Sequence, residues 1–178
     1  MCFFVGSWFF TAAAFVQLQL SGSPRNERNA LRALWLAAST QFLGTILFNV
    51  STGSALKAQT FIAETNFVWA PDAEGSVAFL ISAGFALLVL VRANALWGPR
   101  NATWVSTWVN MLGCVAFGVS AVGAIVLPNG GLRDAAVADW GTLVGAVCFF
   151  AASAVVLPQA VASARDDAAS PAGTAHKG

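Results

Sequence analysis

Of 178 residues, 57% are hydrophobic and only 10% charged, and mean hydropathy is +0.70; so few charges cannot cover an 18.5 kDa water-soluble globule. Nine Lys plus Arg against eight Asp plus Glu leave a net charge of +1, which excludes the basic footprint of a nucleic-acid binder. The solvent that suits this composition is lipid, so the bilayer is the first partner it implies.

In chain order, stretches able to cross a hydrocarbon core of about 30 Å as helix lie near residues 3–20, 32–56, 71–96, 102–127 and 139–162. The first contains Ala12, Ala13 and Ala14, which resemble a signal-peptidase site. No basic segment precedes them and Arg25, Arg28 and Arg32 follow, so the stretch reads as an uncleaved helix. The second opens near Trp35. The third has the shortest uncharged run, Gly75 to Val91, lengthened by Pro71 in a first helical turn with Asp72 and Glu74 on the positive end of the helix dipole. The link before it, Lys57 to Trp69, holds Phe61, Ile62, Phe67 and Val68 and is expected to lie along the interface. The fourth is followed by Pro128, Asn129, Gly130 and Gly131, a turn signal. The fifth ends before a small, polar tail, 164–178, expected to be disordered. The chain therefore reads as one transmembrane domain, 1–163, with a cytoplasmic tail.

Orientation follows from Lys and Arg, which are retained on the cytoplasmic side. Arg25, Arg28, Arg32, Arg92, Arg100, Arg165 and Lys177 fall on one side and only Lys57 and Arg133 on the other. The N-terminus is expected outside and the tail inside. Trp35, Trp97, Trp104 and Trp108 would then mark the inner boundary and Trp69 and Trp140 the outer one.

The spans also resemble one another. Trp35 to Ser51 aligns without gaps on Trp104 to Ser120, matching Trp35/Trp104, Gln41/Asn110, Leu43/Leu112, Gly44/Gly113, Phe48/Phe117, Val50/Val119 and Ser51/Ser120. A shorter pattern of Gly, a phenylalanine four residues on and a small residue three further recurs in every span: Gly6-Phe10-Ala13, Gly44-Phe48-Ser51, Gly75-Phe79-Ser82, Gly113-Phe117-Ser120 and Gly145-Phe149-Ala152. Successive glycines are 38, 31, 38 and 32 residues apart, so the unit is a two-helix hairpin. Spans 2 and 3 form one hairpin and spans 4 and 5 another; span 1 is the second half of an incomplete first unit, as though the N-terminus were truncated. The fold predicted is an all-α polytopic membrane bundle of five helices. Each stripe lies on one helix face, and small residues allow the close backbone approach that holds helices together in lipid. An unpartnered stripe on span 1 predicts either a homo-oligomer through that helix or a chain that is a fragment of a longer open reading frame.

Chemistry is sparse. No ionisable residue lies deep in a span, which removes the usual signature of proton relays and coupled pumps. The one histidine, His176, is in the tail, and Cys2, Cys114 and Cys148 have no metal-binding spacing, so no metal, cofactor or catalytic residue is expected. Gln41 and Asn110 stand apart, because a primary amide cannot satisfy itself on its own helix as Ser and Thr do. At matching depths they would either bind helices together or line a polar path.

The phrases FFVGSWFFTAAAFVQL, LGTILFNVSTGSAL, VWAPDAEGSVAFL, NMLGCVAFGVSAV and WGTLVGAVCFF resemble those of a family of uncharacterised actinobacterial multi-pass membrane proteins, some labelled YrhK-like. The resemblance covers most of Phe3 to Leu157 and implies an inner-membrane location with no known activity. Members usually carry a further span before the one matching span 1. The leading functional reading is a non-enzymatic structural or accessory bundle. The alternative is a small permease or channel for a neutral solute, with Gln41 and Asn110 lining the path. A lipid-handling enzyme would have to use Asp72, Glu74 or Asp139, which helix capping explains.

Overall fold

In the computed structural model, described for residues 2–22, 29–99 and 101–169, the chain is a helical bundle. Helix α1 (Cys2–Leu20) is followed by α2 (Asn29–Ser54). A short α3 (Phe61–Ala63) runs through a π-helical turn (Glu64–Trp69) into α4 (Ala70–Arg92). Helices α5 (Ala102–Gly123) and α6 (Ala135–Ala169) complete the fold. Among the described residues the one β feature is an isolated bridge, Val126 to Leu132. It closes the turn expected at Pro128 to Gly131, where Gly130 takes a φ of +79° and its N–H donates to Leu127 O at 2.8 Å.

Four runs are long and apolar enough to cross a membrane: Leu31–Ser54, Phe61–Arg92, Ala102–Gly123 and Ala135–Pro158. Helix α1 is apolar but shorter; its 17 residues from Phe4 to Leu20 reach about 26 Å, a tight fit to a core of about 30 Å. The surface is that of a protein solvated by lipid. Phe9, Leu20 and Phe150 are each at least three-quarters exposed, whereas the interior is mostly Ala, Ser, Gly and Thr. Phe79 is the largest side chain that is fully buried.

Three boundaries differ from the sequence expectation. The Lys57 to Trp69 link is not irregular throughout: helix begins at Phe61, capped by Thr60, whose Oγ1 accepts from Ala63 N–H at 3.2 Å. Pro71 therefore lies inside a running helix rather than at its start. Proline has no N–H for the carbonyl four residues back and crowds it, and the preceding turn is widened to π geometry, with Ala70 N–H donating to Thr65 O. At the other end α4 stops at Arg92 and not near residue 96, because Asn94 adopts a left-handed φ of +51°. Ala95 N–H then reaches Leu90 O at 2.9 Å and Asn94 N–H reaches Val91 O at 3.1 Å, the two bonds of a Schellman cap. Helix α6 starts at Ala135 and continues to Ala169, so the first residues of the expected disordered tail are helical; residues 170–178 lie outside those described.

Packing is most extensive between α5 and α6 and between α2 and α4, with α1 laid on α2. Glycines set the closeness. A Cβ placed on Gly44 would stand 2.5 Å from the Phe79 ring, and one on Gly75 would stand 3.0 Å from Gly44 O. Between α5 and α6, a Cβ on Gly113 would lie 2.9 Å from the Phe149 ring, and one on Gly145 would lie 2.5 Å from the Phe117 ring and 3.2 Å from Gly113 O. Phe10, Phe48, Phe79, Phe117 and Phe149, one from each long helix, meet in the middle, with neighbouring ring centroids 5.3 to 5.6 Å apart. The phenylalanine of the five-fold pattern thus points inward in every helix, edge-to-face or offset as ring quadrupoles prefer. Gly6 differs: nothing lies within 4 Å of its Cβ position, and Ala13 is exposed.

Candidate binding site

The amides expected to matter behave differently from each other. Gln41, on α2, is 7% exposed, and its Oε1 accepts no hydrogen bond from a described residue. Asn110, on α5, is partly buried and turns Nδ2 back to Cys114 Sγ of its own helix at 3.8 Å, a weak contact. No hydrogen bond among those between described residues joins the two. The interhelical amide is instead Asn49, whose Nδ2 donates to Thr11 Oγ1 at 2.8 Å across α1 and α2. Ser7 and Thr52 hydroxyls pair at 3.2 Å one turn along, and Thr11 Oγ1 approaches Thr45 O at 3.4 Å. Sequence reasoning passed over Asn49, although a primary amide inside an apolar span was the available signal there as it was at Gln41.

Elsewhere hydroxyls reach across to backbone carbonyls. Ser82 Oγ donates to Ala37 O at 2.7 Å (α4 to α2), Ser76 Oγ to Phe117 O at 3.2 Å (α4 to α5) and Ser120 Oγ to Ala138 O at 2.6 Å (α5 to α6). The Ser residues closing the Gly-Phe-small pattern in α4 and α5, Ser82 and Ser120, are therefore fasteners as well as small residues.

The acids also need a new account. Asp72 and Glu74 do not cap a free helix start, since helix already runs from Phe61. Nor does Asp139 cap α6; that role belongs to Asp134, whose Oδ1 accepts from Val137 N–H at 3.1 Å. Glu74 and Asp139 are exposed, while Asp72 is half-buried. Asp72 faces a cavity of about 340 Å³ at the end of the bundle formed by the last turns of α2, the π turn and the 124–132 connection. Ser51, Glu64, Trp69, Val126 and Leu132 line it as well. Trp69 is held in place by Nε1–H donating to Ala121 O at 2.9 Å. Neither Gln41 nor Asn110 lines this cavity. Among the described residues no cluster of three or more His, Cys, Asp or Glu could hold a metal ion.

Comparison with protein families, with curated proteins and with solved structures gives no match.

Proposed function

We propose that this membrane bundle is a non-enzymatic structural or accessory component of a bacterial inner membrane, with its N-terminus outside and its tail in the cytoplasm. One observation carries the reading: where the long helices meet, the space is filled by five packed phenylalanine rings rather than by polar groups around an opening. Its two hairpins, α2 with α4 and α5 with α6, are read as copies of one unit. Support comes from the equivalent seating of Gly44 on Phe79 and of Gly113 on Phe149. On this reading α1 is half of a further unit, and its open Gly6 face joins a second copy of the chain. The resemblance to YrhK-like proteins agrees with this assignment and gives no residue a role.

The reading is tested by reconstituting the full chain in liposomes and measuring swelling with glycerol and urea, and by weighing the detergent-solubilised particle. Flux at the level of empty liposomes, with an oligomer that Gly6→Leu converts to monomer, is expected. A stable wild-type monomer would remove the assembly role. The alternative, a permease for a neutral solute, has one observation in its favour, the buried Gln41 Oε1 without a donor. Solute flux that disappears in Gln41→Leu and Asn110→Leu would establish it instead.

A further inference from the structure

The cavity beside Asp72 exists because two helix pairs that pack alike elsewhere part company at this end. In α5 and α6 the junction is closed. Ser120 Oγ donates to Ala138 O and lies 2.8 Å from Thr142 Oγ1, and a Cβ on Gly141 would stand 2.7 Å from Ser120 Cβ and 2.9 Å from Ala116 O. Counting the same steps from Gly44 and Gly75 as from Gly113 and Gly145, the counterparts of Ser120, Gly141 and Thr142 are Ser51, Pro71 and Asp72. A proline ring in place of glycine cannot make the approach that Gly141 makes, and where α5 and α6 are closed, Ser51 and Asp72 line a cavity.

Three polar side chains facing that space, Ser51, Asp72 and Glu64, have no partner among the described residues. Ser51 is 5% exposed, yet its hydroxyl makes no hydrogen bond to a described residue, unlike Ser120 in the closed pair. Neither Asp72 nor Glu64 makes an ion pair or side-chain hydrogen bond with a described residue. Lys57 and Arg133 adjoin the lining residues Ala58 and Leu132, but both are exposed and neither pairs with Asp72 or Glu64. A carboxylate drawn partly out of water without a counter-charge is costly, and a cation entering beside it recovers that cost. Trp69, fixed by its bond to Ala121 O, adds an aromatic surface of the kind that attracts cations. Val126 and Leu132 supply an apolar wall, which a hydrated metal ion would not use and an organic body would.

We propose that this cavity binds a small primary ammonium ion on a short apolar body, its charge facing Asp72 and Glu64, its N–H donated to Ser51 Oγ and its body against Val126 and Leu132. This goes beyond the accessory role proposed above and does not depend on assembly through α1.

The test uses the full chain in phosphatidylcholine nanodiscs, titrated calorimetrically with phenethylammonium chloride, 2-phenylethanol and calcium chloride, with empty nanodiscs subtracted. Saturable phenethylammonium binding is expected, weakened by about tenfold or more in Asp72→Asn, as loss of a charged hydrogen-bond partner implies. Asp139→Asn, outside the cavity, should bind as wild type does. Glu64→Gln and Ser51→Ala, whose folding is checked by thermal unfolding, carry the test if Asp72→Asn does not fold. The proposal is overturned if phenethylammonium gives no saturable heat, if the neutral alcohol binds as well, if calcium binds in its place, or if folded cavity variants bind unchanged.

Discussion

Adding one methyl group to a helix glycine tests the packing most directly. A Cβ at Gly141 would meet Ser120 Cβ at 2.7 Å and Ala116 O at 2.9 Å, and one at Gly44 would meet Phe79 Cε1 at 2.5 Å and Gly75 O at 3.0 Å. Neither neighbour can step aside. Ala116 O is backbone, and the fully buried Phe79 ring is hemmed in by Phe10, Phe117 and Phe149. Gly141→Ala must therefore push α6 away from α5, and Gly44→Ala must push α4 away from α2. Overpacking costs about 1–3 kcal/mol, against which alanine recovers up to about 1 kcal/mol of helix propensity over glycine. A net loss of up to about 2 kcal/mol follows. Gly84, with nothing within 4 Å of its Cβ position, is the control; there the propensity gain stands alone, and Gly84→Ala should be neutral or more stable by up to about 1 kcal/mol. Unfolding in mixed detergent micelles with increasing dodecyl sulfate, followed by far-ultraviolet circular dichroism, measures all three. Should the Gly141 and Gly44 variants unfold at the same point as the Gly84 variant, close approach at these glycines does not hold the pairs together.

The same assay checks three further expectations. Phe79→Ala should leave a void of roughly 100 Å³ and, at about 24 cal/mol per Å³, cost about 2 kcal/mol, whereas Phe150→Ala, on a lipid-facing side chain 77% exposed, should cost far less. Thr11→Val removes the acceptor of Asn49 Nδ2 and should cost about 0.6–1.7 kcal/mol, the range of measured interhelical bonds in membranes; Ser153→Ala, which loses only a bond to its own helix at Phe149 O, should be near neutral. Gln41→Leu removes an amide whose Oε1 has no partner, so stability should hold or rise by about 1 kcal/mol; a clear loss would mean that Gln41 is held by something other than the described residues.

The sequence made the spans and the inward phenylalanines legible because both depend on short-range pattern. Absence of charge over a helix length marks a span, and residues four apart lie on one face, so Gly44 with Phe48 and Gly113 with Phe117 could be placed together from spacing alone. What spacing cannot give is the rotation and separation of two helices relative to each other. That is why Gln41 and Asn110, equivalent in sequence, differ in burial, and why Asn49, passed over on sequence alone, is the amide that joins two helices. The Pro71 reading failed for a related reason. A proline and an acid after an apolar link look like a helix start, and only the accommodation of Pro71 by a π turn, visible in three dimensions, makes them the interior of a longer helix. With that, capping no longer explains Asp72, and the cavity it faces had no signature in the sequence.

Lipid as solvent explains why so much depends on small residues. In water, burying a large apolar side chain is itself favourable, but lipid tails solvate Leu, Val and Ile as well as a protein interior does, so these side chains lie outward here with no loss. What remains to hold helices together is dispersion at close range and hydrogen bonds that lipid cannot offer. Glycine supplies the first at Gly44, Gly75, Gly113 and Gly145, each against a ring or a backbone carbonyl, and serine supplies the second at Ser76, Ser82 and Ser120. Both devices act only where backbones approach closely, so replacing a glycine by a proline weakens both together. That is the difference between Gly141, where Ser120 closes the junction with two hydrogen-bond partners, and Pro71, where the Ser51 hydroxyl has none among the described residues and a cavity remains.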